Sequence, residues 1–66
     1  MDKQKLKGLI VANDGSQAVL AKAMGLSLSR LNAKINETNA EFTKGEIVFI
    51  GNRYNLTRED VATIFF

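Results

Sequence analysis

Cysteine, histidine, proline and tryptophan are all missing from this 66-residue chain. Without cysteine there is no disulfide framework and no thiolate zinc site, and without histidine the commonest metal ligand and general base are gone as well. Neither a metal nor histidine-based catalysis is therefore expected. Because the carboxylates serve mostly as helix caps and no nucleophile-base pair is visible, no enzymatic role and no cofactor are expected either. No stretch approaches the roughly 20 apolar residues that span a bilayer, and the opening MDKQKLKG lacks the apolar core of a signal peptide. The expectation is a soluble, cytoplasmic protein with no membrane partner. Proline-rich linkers, repeats and low-complexity runs are also absent, so residues 1–66 read as one domain. A domain this small buries only about 60% of the surface that its unfolded chain exposes, which points to modest stability.

The charge is present but unevenly placed. The net charge of +2 says little alone. Residues 1–36 hold Lys3, Lys5, Lys7, Lys22, Arg30 and Lys34 against Asp2 and Asp14, whereas the remainder is net acidic. A basic half of this kind suits phosphate.

Five helices follow from caps and apolar spacing. Asp2 caps a first helix, about Lys3 to Ala12, whose stripe is Leu6, Leu9 and Ile10, with Asn13-Asp14-Gly15 as a stop signal. Ser16 caps a second helix through Met24, Gly25 takes a tight turn, and Ser27 caps a third from Leu28 to about Asn36. Residues 37–42 form a polar loop. Thr43 and Glu46 make a capping box flanked by Phe42 and Ile47, and Thr57 with Asp60 repeats the device between Leu56 and Val61. These start helix four and helix five, the latter about Arg58 to Phe65. Within GEIVFIGNRYN the β-propensity of IVFI competes with the Ile47, Ile50, Tyr54 spacing, and the box favours helix.

Helices two and three, hinged at Gly25, have the layout of a helix-turn-helix. Leu20, Ala21, Met24, Leu26, Leu31 and Ile35 can form a small core between them, with Gln17, Ser29, Asn32, Lys34 and Asn36 outward. The chain resembles the Cro/CI family of lambda-repressor-like phage regulators. The resemblance rests on Gln17, Leu20-Ala21, Met24-Gly25, Ser27, Leu31, Ile35 and Asn36, and on the tail FTKGEIVFIGNRYNLTREDVATIFF. Two positions depart from the family pattern. Leu28 stands where a polar residue is frequent, and Glu37 replaces a common glycine. The resemblance implies an all-α, compact five-helix DNA-binding domain acting as a Cro-like repressor on a double-stranded operator, with no small-molecule ligand.

With Leu31 and Ile35 set toward the core at 100° per residue, Ser29, Ala33 and Asn36 fall on the far face and Asn32 at its edge. Asn32 can pair with adenine, Ser29 with several bases, and Ala33 with a thymine methyl. Leu28 can either read a base or complete the core. Gln17, at the start of helix two, and Arg30, Lys34, Asn36, Thr38 and Asn39 are candidates for phosphate. Phe49, Phe65 and Phe66 are candidates for a dimer contact, with Phe65 as core closure the plainer alternative. The resemblance favours a homodimer reading two half-sites. A protein-interaction module of antirepressor or antitoxin type, using the same fold, is the alternative function.

Overall fold

A computed structural model describes all residues, 1–66. It is all-helical, with α1 Lys3–Asp14, α2 Gln17–Met24, α3 Leu28–Ile35, α4 Lys44–Arg53 and α5 Arg58–Phe65. Every start has the side-chain cap that the sequence supplies. The oxygens of Asp2, Ser16, Ser27, Thr43 and Thr57 each accept from a backbone amide three residues on. Both boxes close in the reciprocal sense as well, the carboxylates of Glu46 and Asp60 accepting from the amides of Thr43 and Thr57. The segment around IVFI is helical, since a capped start, Gly45 notwithstanding, lets Ile47 and Ile50 lie on one side.

Three helix ends share one device. After α2 the amides of Gly25 and Leu26 donate to the carbonyls of Lys22 and Ala21, the paired bonds of a Schellman motif. Its hinge residue must take a left-handed conformation, and Gly25 does so at φ +72°. The same pairing closes α3 through Glu37 and Thr38, and α4 through Asn55 and Leu56. Glu37 and Asn55 therefore hold φ values of +57° and +56° without being glycine. The first helix runs two residues past the expected Ala12, because Gly15 rather than Asn13 ends it. The Asn13 side chain donates back to the Leu9 carbonyl, and the Gly15 amide to Ile10 and Val11.

All five helices feed one core of nine side chains, among them Leu6, Ile10, Leu20, Leu31, Ile50 and Ile64, with no solvent exposure. The radius of gyration, 10.6 Å, matches the value of about 11 Å for a close-packed chain of this length. Packing of α1 and α3 on α2 fixes α2 between them, while α4 and α5 pack together with Val61 beside buried Gly51. No helix is long and apolar enough to cross a membrane.

Candidate nucleic-acid interface

The outward face of α3 follows from what its core face takes. Leu31 and Ile35 are buried, leaving Leu28, Ser29, Arg30 and Asn32 exposed and Ala33 and Asn36 half-buried. Leu28, half exposed at 50%, does not pack in the core. Asn32 lies at the centre of a chain of side-chain amides. Its Nδ2 donates to Gln17 Oε1 at 3.1 Å, and its Oδ1 accepts from Asn36 Nδ2 at 2.9 Å. The first bond ties α3 to the first turn of α2, so three of the expected contact residues are held as one unit. Arg30 is exposed and makes no ion pair, as is true of Lys22 on α2. Thr38 and Asn39 stand exposed in the turn beyond α3.

Lys34 corrects one expectation. It was expected at phosphate, yet its side chain is only 9% exposed and its Nζ lies 2.8 Å from Glu46 Oε1 and 3.2 Å from the Glu41 carbonyl. The helical angle explains this, since Lys34 stands about 60° from Leu31 around the helix axis and so shares its buried flank. A lysine there is tolerable only with a carboxylate facing it. Burial pushes the Glu46 carboxyl up, but the hydrogen bonds from Lys34 and from the Thr43 amide, with the lysine charge, outweigh burial and hold it below the usual range. One carboxylate thus caps α4 and neutralises Lys34 of α3.

A second cluster fixes the lead-in to α2. Asp14, whose side chain is 7% exposed, receives two guanidinium nitrogens of Arg53 at 2.7–3.2 Å and the hydroxyl of buried Tyr54. The Arg53 hydrogen bonds hold the Asp14 carboxyl below its ordinary value against the opposing effect of burial, with Tyr54 assisting. Burial and the Asp14 partner push the Tyr54 phenol well up, so it stays a donor. Asp14 precedes Gly15, Ser16 and Gln17, so this clamp anchors the loop that places Gln17. Sequence reading missed it, as its partners lie 39 and 40 residues away.

The sequence pattern of the family described as "Protein of unknown function (DUF739)" matches residues 1–66. The chain belongs to that family. No curated protein and no solved structure matches it.

In this DUF739 chain two of the three candidate dimer aromatics, Phe65 and Phe66, border one hollow with Phe42 and Ile47, and Phe49 lies apart from them. Phe65 is half-buried, packs against the core and meets Phe42 edge-on, with ring centroids 5.6 Å apart. Phe49 lines a hollow with Ala23 and Met24, on the α2 side of α4. Phe66, 87% exposed, lines a different one with Ile47, Val48 and Val61 between α4 and α5.

Proposed function

We propose that this protein is a sequence-specific double-stranded DNA-binding regulator in which α2 and α3 act as a helix-turn-helix of the lambda-repressor kind. The observation that supports it most is the unit formed by Gln17, Asn32 and Asn36. It joins the start of α2, where side chains of such a motif approach the DNA backbone, to the outward face of α3, which enters the major groove. Gln17 uses its oxygen on Asn32, leaving its amide hydrogens for a phosphate. Arg30, Thr38 and Asn39 are exposed for the same purpose, whereas Lys34 is not. Repression of the Cro/CI type would follow from occupying promoter DNA and excluding polymerase. Two copies, meeting through Phe66 and its apolar surroundings on α4 and α5, would set two reading helices one DNA turn apart, about 34 Å.

Selection from a random duplex pool tests the reading. One preferred sequence should emerge, and Asn32→Ala and Ser29→Ala should weaken binding to it far more than to random DNA. Loss of equal size on both DNAs, with helicity intact, would remove α3 from the role of reader. The exposed apolar pair Val19 and Leu28 favours a second reading, in which the α2–α3 surface meets a protein. Salt separates the two, because affinity for DNA falls steeply as salt rises through counterion release.

A further inference from the structure

We infer that α3 reads A·T base pairs, adenine through Asn32 and a thymine methyl through Leu28, and that Gln17 makes Asn32 selective for adenine. The inference rests on the DNA-binding reading above and specifies the bases that it leaves open.

A side-chain amide offers two N–H donors and an oxygen with two lone pairs. In Asn32 one N–H is given to Gln17 Oε1, and one lone pair is taken by Asn36 Nδ2. What remains is one donor and one acceptor. In the major groove adenine presents one acceptor, N7, and one donor, the N6 amine, which is the complementary set. Guanine presents two acceptors, N7 and O6, and would need both N–H groups of Asn32, one of which Gln17 holds. Cytosine presents only a donor. The internal hydrogen bonds therefore select among bases before DNA arrives.

The rest of the face agrees. Guanine is most often read by arginine or lysine, and neither cation of α3 is on this side. Lys34 is buried against Glu46, and Arg30, two residues from Asn32, projects about 160° away around the helix axis. Leu28 stands one turn before Asn32, on the same side, half exposed and without a polar atom. Among base edges only thymine offers a methyl group for it. Four residues span about 6 Å along the axis, close to two base-pair steps, so the adenine and the thymine methyl lie within about two base pairs of each other.

Base analogues in the selected duplex test this directly. Replacing the contacted thymine by uracil removes only the methyl, and wild type should lose about fourfold in affinity, the worth of one buried methylene-sized group. Leu28→Ala should bind the thymine and uracil duplexes alike. Replacing the contacted adenine by 7-deazaadenine should cost wild type roughly tenfold and Asn32→Ala nothing. Gln17→Ala frees the second N–H of Asn32, so it should narrow the preference for adenine over guanine at that position, a change that mere loss of a phosphate contact would not produce. Guanine at the contacted positions of the selected sites, uracil indifference in wild type, or an unaltered adenine preference in Gln17→Ala overturns the inference while leaving DNA binding in place. A pool that yields no enriched duplex overturns both.

Discussion

Removing Lys34 separates a structural lysine from a phosphate-binding one. In Lys34→Ala the carboxylate of Glu46, whose side chain is 20% exposed, loses its cation but keeps the Thr43 amide. Breaking a buried ion pair from one side costs about 3–5 kcal/mol when both groups are fully enclosed. Partial access of water to Glu46 lowers that to about 2–3 kcal/mol, with the lost packing of the lysine stem included. For a domain of this length each kcal/mol moves the midpoint by about 4–8 °C, so thermal unfolding should drop on the order of 10–20 °C. Lys34→Met retains the stem and should recover part of the loss. In a double-mutant cycle with Glu46→Gln, the coupling should be about 1–3 kcal/mol, because the two residues share one hydrogen-bonded pair. The slope of log affinity against log salt should stay the same in Lys34→Met, since the lysine neutralises no phosphate and so releases no counterion from the DNA. A slope that falls by about one unit, with an unchanged midpoint, would show that the lysine meets DNA and that its burial against Glu46 has no energetic meaning.

Two further outcomes follow from the clamps and caps. Because folding depresses the Asp14 pKa, its contribution is complete above the ordinary aspartate range and is lost as pH falls below about 4 toward the folded-state value. Chemical denaturation between pH 4 and 2 should therefore show a smaller loss of stability in Asp14→Asn than in wild type, and equal losses would refute the clamp. Glu37→Gly should raise stability by up to about 1 kcal/mol, since a left-handed conformation costs a side-chain-bearing residue about 1–2 kcal/mol and the added freedom of glycine offsets only part. A lower midpoint for that variant would show that the Glu37 carboxylate, 3.8 Å from the Met1 amine, matters more than its backbone.

Local signals carried most of the fold. Caps at Ser16, Ser27, Thr43 and Thr57 and the turn at Gly25 are written within four residues of the atoms they satisfy, and their positions in the sequence match the helix starts. The end of α1 was less legible because Asn13 and Asp14 are typical turn residues. Each is retained in the helix by its own side-chain partner, Leu9 for one and Arg53 for the other. At the candidate site, the wheel placed Ser29 and Asn32 outward. It could not place Leu28, whose angle lies at the boundary and whose exposure depends on what α2 leaves uncovered. The same wheel held the signal for Lys34, which is nearer to Leu31 than its charge suggested. Nothing local announces the Asp14, Arg53 and Tyr54 cluster, or the joining of Gln17 to Asn32, since such contacts exist only once distant segments have packed.

The internal use of two of the nine lysines and arginines, Lys34 on Glu46 and Arg53 on Asp14, bears on how a DNA reader of this design would search. Attraction to arbitrary duplex comes from phosphate neutralisation alone, so each cation already paired with a carboxylate of the fold shortens the dwell on wrong sequence. A genome offers about a million or more such competitors, and occupancy of the right site depends on the ratio of specific to non-specific affinity. The two internal ion pairs, one buried and one at the surface, would lower the denominator of that ratio while steadying the helices that set its numerator. A weak overall grip on nucleic acid would then accompany rapid sampling.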